Sequence, residues 1–209
     1  MVFRVYVEKK PGFDVEAQQL AGELRTILGL TGLKALRIVN RYDVEGISQK
    51  LFDQTVPTVF SEPQVDNVAY DLPDFAGAKV FATEFLPGQF DQRADSAAEC
   101  IQLISQGERP TVRSAKLYAL EGELTDADVD TIKHYVINPV EAREASLETK
   151  ETLKTQVPVP GKVETIAGFN EMDAEAGQKF IDERGLAMDL ADLEFCQKYF
   201  SEEGREPTI

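Results

Sequence analysis

One pattern of turn and apolar residues occurs twice before residue 146 of this chain. Each copy begins with a Pro-Gly pair, continues with apolar residues at helical spacing, and ends with an Arg, a Tyr and a Glu-Gly pair. The matched positions are Pro11, Asp14, Ala17, Ala21, Leu24, Ile27, Arg37, Tyr42, Glu45 and Gly46 in the first copy, and Pro87, Asp91, Ala94, Ala98, Ile101, Ile104, Arg113, Tyr118, Glu121 and Gly122 in the second. Such self-similarity is the signature of a duplicated structural unit. We therefore expect one unit to be built twice.

The hydrophobic pattern within each copy predicts the order strand, helix, strand, helix, strand. The predicted strands span 3–8, 33–44, 58–60, 79–86 and 112–120, and 61–77 is predicted to connect the copies. Helices are predicted to follow caps at Asp14, Asp91 and Thr125, the last in a capping box with Asp128, and a weaker helix is predicted over 47–54. This order of elements is that of the ferredoxin-like fold.

Both faces of the long predicted strands carry apolar side chains, such as Leu36 on one face and Val39 on the other. Because the helices of one unit cover a single face, we expect the sister copy to cover the other. The prediction is an α+β fold over residues 1–146. In it, two ferredoxin-like units, about 1–63 and 78–146, pack as an intramolecular pseudo-dimer.

The sequence changes character after residue 146, and 147–209 is predicted to form an extended linker and a small helical domain. The Val-Pro repeats at 157–160 favour an extended linker. Two short helices are predicted at 173–184 and 190–202. A pair of this length does not bury both apolar stripes alone, so we expect it to dock on a further part of a longer protein.

The charge of the chain limits its partners. The formal net charge is −15 at pH 7, which disfavours binding to phosphate backbones and anionic membrane surfaces, so neither a nucleic acid nor a membrane is expected as partner. No signal peptide or membrane-spanning run is recognised. The two cysteines, Cys100 and Cys196, lack paired spacing, which favours a reducing, cytoplasmic compartment.

The sets of residues that usually carry catalysis are missing, and the many carboxylates of an acidic chain are weak evidence for acid–base catalysis. His134 is the single histidine and is interpreted as a surface or boundary residue. Cys100 and Cys196 are interpreted as core residues rather than reactive thiols. No phosphate-binding loop or dinucleotide fingerprint is present. We therefore predict no catalytic, cofactor-binding or metal-binding residue in this chain.

A polar and aromatic cluster surrounds the start of the helix that Asp91 is predicted to cap. Its members are Gln89, Phe90, Gln92, Arg93 and Asp95. Three interpretations are open: helix capping with an ion pair between Arg93 and an aspartate, a contact surface for a partner domain, or an anion site on the free N–H groups of the helix. The cluster is the candidate domain interface.

Several segments carry a resemblance to a known family. They are Tyr6 to Asp14, Asn40 to Gly46, Pro87 to Cys100, Tyr135 to Glu141, and, near the end, Gly185 to Asp189 with Gly204 to Thr208. These segments resemble the N-terminal region and following linker of phosphoribosylformylglycinamidine synthase in its large, single-chain form. The resemblance extends over essentially the whole chain and agrees with the internal repeat, because this region of the family resembles a fused dimer of a small subunit.

The resemblance implies a non-catalytic role. The parent enzyme is a glutamine-dependent carbon–nitrogen ligase of de novo purine biosynthesis that uses ATP and magnesium, and this region would hold its synthetase and glutaminase domains in register for ammonia transfer. The synthetase and glutaminase domains of the same polypeptide would be the partners. The catalytic segments of the family have no counterpart here, so the chain alone is expected to be inactive and to hold no cofactor.

Two further functions remain open at this stage. A metabolite-binding regulatory module is the main alternative, since paired ferredoxin-like units often hold small molecules between the copies. An independent enzyme with an unrecognised site is the third, and the single histidine argues against it.

Overall fold

The computed structural model describes residues 1–154 and 161–208. The chain forms two compact units, Met1–Thr155 and Gln156–Ile209. The first unit continues past residue 146, where we expected it to end, because the following residues pack on its sheet. The linker expected at 157–160 lies outside the described residues.

The first unit is α+β, as predicted, with a single six-stranded antiparallel sheet. Its strands are β1 (Val2–Lys9), β2 (Leu33–Glu45), β3 (Asp66–Ala69), β4 (Lys79–Phe85), β5 (Thr111–Gly122) and β6 (Ala142–Ala145). Its helices are α1 (Val15–Ile27), α2 (Gln49–Thr55), α3 (Gln92–Ser105) and α4 (Asp126–Val136).

The two copies meet edge to edge. The strand order is β3-β1-β2-β5-β4-β6, so each copy contributes three adjacent strands and the β2–β5 pair joins them. In this pair Tyr42 lies opposite Ser114 and Ile38 lies opposite Tyr118. We expected each copy to cover the other's sheet, and that expectation is wrong. The long edges of β2 and β5 pair instead, which leaves neither edge unpaired.

The described helices of the first unit pack on one face of this sheet. Ala94, Ala97 and Ala98 of α3 belong to one cluster with Val5 and Tyr42 of the first copy. The helix α1 forms a second cluster with α4 and with residues of both β2 and β5. The alanine stripe of α3 is buried, as the spacing indicated, whereas Ile104 at its end is 49 % exposed. The first helix of each copy therefore packs across the β2–β5 pair.

The opposite face is covered by connecting segments rather than by helices. Phe75 from the connector and Leu147 from a segment we call the strap, residues 146–154, pack with Leu117 and Ala119 of β5. The strap is also held by Glu45, whose carboxylate accepts a hydrogen bond from the Leu153 backbone N–H at 2.8 Å.

Three charged residues are buried beneath the strap. The Arg4 guanidinium donates to both carboxylate oxygens of Asp43, at 2.5 and 3.2 Å. Arg41 is 1 % exposed; its Nε lies 3.1 Å from Asp43 without hydrogen-bond alignment, and its Nη1 donates to the Ser146 carbonyl at 2.7 Å. Burial lowers the pKa of Arg41. For Arg4, burial is outweighed by the hydrogen bond to Asp43, and the pKa is raised.

Two local predictions are wrong and one pair is confirmed. The segment predicted as a strand at 58–60 lies in a π-helical turn, Val56–Phe60, because Phe52, Val56 and Phe60 continue the buried side of α2 at intervals of four. Asp14 stands at the N-cap position of α1, but its side chain makes no cap hydrogen bond to the helix. The caps predicted at Asp91 and Thr125 are both present.

The second unit contains two helices, α5 (Ala174–Arg184) and α6 (Leu190–Glu202), capped by Asp173 and Asp189. Ile181 and Leu193 are buried with Phe169, which comes from a 3-10 turn before α5. Phe169 thus covers part of the apolar surface of the two helices, which we expected a further part of a longer protein to cover. Phe195 of α6 is still 73 % exposed.

Candidate functional site

The predicted cluster lies where the loop after β4 enters α3. Asp91 fixes this loop in two directions. Its carboxylate accepts a hydrogen bond from the Ala94 backbone N–H at 2.9 Å, which caps the helix. It also accepts hydrogen bonds from the backbone N–H and the hydroxyl of Ser114, at 3.0 and 2.9 Å. The start of α3 is therefore attached directly to β5.

Arg93 connects the cluster to the other copy. Its Nη1 donates to the Tyr42 hydroxyl of β2 at 3.0 Å. Burial, which lowers the pKa of Arg93, is outweighed by this hydrogen bond and by the nearby Glu16 and Asp91, so the pKa is raised. Within the described residues, Arg93 makes no ion pair with an aspartate, contrary to the first interpretation. Asp95 pairs with Arg109 instead, at 2.6 Å.

Three of the five predicted residues line one cavity, which we call the larger cavity, with a volume of about 700 Å³. These residues are Phe90, Gln92 and Arg93. The other two lie outside it: Gln89 donates to the Val140 carbonyl at 3.2 Å, and Asp95 is taken up by its ion pair. The structure therefore brings part of the cluster together.

The walls of the larger cavity are rich in hydroxyl and amide groups. They include Asn40, Thr83, Ser96, Ser114, Lys116 and Tyr118. The Lys116 ammonium lies 2.5 Å from the Glu16 carboxylate of α1, and burial raises the pKa of Tyr118 to about 12. Neither residue was predicted from the sequence as part of a site, although Tyr118 was recognised as the repeat equivalent of Tyr42. The cavity presents hydrogen-bond donors and acceptors, two cationic side chains, Arg93 and Lys116, and the carboxylates of Glu84 and Glu141. Such groups can hold a small polar molecule.

An exposed aromatic side chain stands at the rim of the larger cavity. Phe90 is 69 % exposed, and Phe85, which also lines the cavity, is 41 % exposed. Val140, whose carbonyl Gln89 contacts, is 74 % exposed. Exposed aromatic residues around a concave polar centre are typical of surfaces that bind a partner.

The remaining candidates for chemistry are dispersed. His134 is exposed, as interpreted, and its Nδ1 lies 2.7 Å from the Asp130 carbonyl of its own helix. Cys100 is exposed rather than buried, because Ala97, Ala98 and Ile101 occupy the inner side of α3. Cys196 is partly buried in the second unit. Residues 1–154 and 161–208 hold no group of three or more His, Cys, Asp or Glu side chains placed for a metal ion.

Among the described residues, no helix has the length and apolar character needed to cross a membrane. Comparison with models of known protein families and with curated proteins found no match for this chain.

Proposed function

We propose that this chain is the non-catalytic N-terminal segment of phosphoribosylformylglycinamidine synthase, the ATP- and glutamine-dependent amidoligase of de novo purine biosynthesis. In this role it scaffolds the glutaminase and synthetase domains of the parent polypeptide for ammonia transfer in the cytoplasm. ATP and magnesium belong to the parent's synthetase domain, and this chain contributes no residue to their sites.

The observation that carries the proposal is the meeting of three segments that bear the family resemblance. The Leu86 N–H donates to the Glu141 carbonyl at 2.9 Å, next to the hydrogen bond from Gln89 to Val140. These contacts place the segment that begins at Pro87 beside the one that ends at Glu141. The hydrogen bond from Arg93 to Tyr42 adds the third segment. A scaffold that contacts other domains requires its distinctive residues to share one surface.

The strand order supports the fold that this family implies. Each copy contributes a three-stranded set, β3-β1-β2 or β6-β4-β5, with two helices between its strands. We interpret each set, with its helices, as a ferredoxin-like unit, and the β2–β5 pair as the junction of an intramolecular pseudo-dimer. A junction inside one sheet holds the two halves in a fixed relative position, as a brace requires.

The proposal is tested first by assaying the purified chain. With formylglycinamide ribonucleotide, ATP, magnesium and ammonia, the chain alone is expected to release no ADP above a heat-denatured sample. Sustained ADP release that depends on formylglycinamide ribonucleotide would refute a purely structural role.

The larger cavity favours a second candidate function, a metabolite-binding regulatory module. Its volume of about 700 Å³ falls in the range of about 300–1,000 Å³ that small-molecule sites occupy. Calorimetric titration with nucleotides, amino acids and purine intermediates distinguishes the two. Saturable micromolar binding that Lys116→Gln weakens and Lys50→Gln leaves unchanged would favour the regulatory module. The absence of saturable heat would argue against the regulatory module and favour the scaffold role.

A further inference from the structure

A second cavity, of about 220 Å³, lies between the turn at Pro87 and the strap. We call it the strap cavity. Four basic residues line it: Arg113, Arg143, Lys150 and Lys154. The chain as a whole has 37 acidic and 22 basic residues. A concentration of positive charge around one concavity therefore runs against the composition of the protein.

The acidic residues in the wall of the strap cavity are already engaged. Glu84 lies 2.8 Å from Arg143 Nη2 and 2.6 Å from Lys150 Nζ. Asp91 accepts the hydrogen bonds of the α3 cap and of Ser114. Two basic residues of the cavity, Arg113 and Lys154, form no ion pair within the described residues. Among the described residues, the cavity thus holds two cationic side chains outside the ion pairs of its walls, and Lys154 has the Glu45 carboxylate in its vicinity.

Within the described residues, Arg113 lacks the ion pair that its equivalent in the first copy of the repeat makes. Arg37 and Arg113 occupy matched positions, as do Glu8 and Glu84, each pair standing at the same distance from the matched Pro-Gly turns and tyrosines. In the first copy, Arg37 donates to both carboxylate oxygens of Glu8, at 2.7 and 2.8 Å. In the second copy, Arg143 and Lys150 occupy Glu84 instead.

We propose that the strap cavity binds a small oxyanion, a phosphate or a carboxylate group, between Arg113 and Lys154. A guanidinium presents two parallel N–H donors that match such a group, and the ammonium of Lys154 supplies a further charge. The volume admits a single anionic group or a small molecule that carries one. Distant acidic residues are screened at physiological ionic strength, where the Debye length is about 8 Å.

The proposed ligand links the sheet to the strap. Arg113 belongs to β5, whereas Lys150 and Lys154 belong to the strap. An oxyanion held by Arg113 and Lys154 therefore favours the docked strap over a detached one, since it binds the docked arrangement alone.

Calorimetry on the complete chain tests the site, with inorganic phosphate and glutamate titrated separately against sodium chloride of equal ionic strength. Saturable binding of either oxyanion is expected. Arg113→Gln is expected to weaken it by roughly tenfold or more, because a charged hydrogen-bond donor is removed. Lys50→Gln, an equal charge change on α2 outside the cavity, is expected to leave binding unchanged. No saturable heat from either oxyanion, or equal affinity in Arg113→Gln, overturns the proposal.

Limited trypsin digestion provides a second readout that a general loss of folding would not mimic. The oxyanion that saturates is expected to slow cleavage after Lys154 in the wild type and in Lys50→Gln, but not in Arg113→Gln. Circular dichroism confirms that each variant is folded before digestion. Cleavage that the oxyanion slows equally in all three proteins overturns the assignment to Arg113.

Discussion

Asn40 of β2 lies directly opposite Lys116 of β5, and the two residues occupy the same position in their respective copies of the repeat. Each stands two residues before a matched tyrosine, Tyr42 or Tyr118. Equivalent positions face each other only at the centre of a pairing related by two-fold symmetry. Residues of β2 are consequently paired with β5 in the same way as their repeat equivalents in β5 are paired with β2. This symmetry accounts for how a repeated sequence forms a single continuous sheet.

The β2–β5 junction is expected to contribute strongly to stability. Leu117 of β5 is fully buried at 0 % exposure, so Leu117→Ala should lower the free energy of unfolding by about 2–5 kcal/mol, through lost burial and a residual cavity. Leu103→Ala, at a residue that is 71 % exposed on α3, should change it by less than about 0.5 kcal/mol. Urea denaturation measures both. Equal shifts would show that the junction contributes no more than the surface.

The buried charges beneath the strap are expected to act as one unit. Asp43→Ala leaves the guanidinium groups of Arg4 and Arg41 without their shared carboxylate, which should cost about 3–5 kcal/mol of unfolding free energy. Asp71→Ala, at an exposed residue, is the matched control. If the two variants unfold at the same urea concentration, Asp43 does not neutralise the buried arginines.

Attachment of the strap is expected to depend on pH through Glu84. Burial, which raises the pKa of Glu84, is outweighed by hydrogen bonds from Lys150 and Arg143, and the pKa lies below its ordinary value of 4.5. A carboxylate whose pKa is depressed on folding contributes stability that is complete above the unfolded value and is lost as the pH falls through the folded one. Stability should therefore decline below about pH 4.5.

Glu84→Gln tests this dependence. The variant should be less stable than the wild type at pH 7 and should lose less stability between pH 5 and pH 3, as measured by urea denaturation at each pH. Glu99→Gln, at an exposed position on α3, should retain the wild-type profile. A Glu84→Gln profile parallel to that of the wild type would mean that another carboxylate is responsible.

Replacement by alanine is expected to change the stability of the protein in opposite directions at two glycines. Gly122 has φ +140°, and an added Cβ would come within 2.1 Å of the Gly32 carbonyl oxygen, so Gly122→Ala should destabilise by at least about 1–3 kcal/mol. Gly22 lies inside α1 with no atom near an added Cβ, so Gly22→Ala should stabilise by about 0.5–1 kcal/mol. Thermal unfolding compares them, and a destabilised Gly22→Ala would contradict this account of α1.

The sequence predicts the elements of the first unit better than their assembly. The buried stripe of α3 and the caps at Asp91 and Thr125 follow from local rules that tertiary packing did not override. The edge-to-edge junction was not predictable in the same way, because alternation reveals which face of a strand is apolar but not which strand lies beside it.

In the candidate site, too, the local features were predictable from the sequence and the contacts between the copies were not. The turn at Pro87 and the cap at Asp91 located the cluster, and Phe90, Gln92 and Arg93 do line one cavity. The partner of Arg93 could not be foreseen, since Tyr42 belongs to the other copy and reaches Arg93 only through the β2–β5 junction. The expected aspartate partner was wrong for this reason.

The most direct test of the scaffold role compares two rates in the complete parent enzyme carrying Phe90→Ala or Arg93→Ala, with Lys50→Ala as control. One rate uses glutamine as nitrogen donor and the other uses added ammonia. The account predicts that both cluster variants lower the glutamine-dependent rate by about tenfold, as expected when an interface anchor is removed, while the ammonia-dependent rate stays at the control value. An equal fall in both rates, or no change in either, would contradict it.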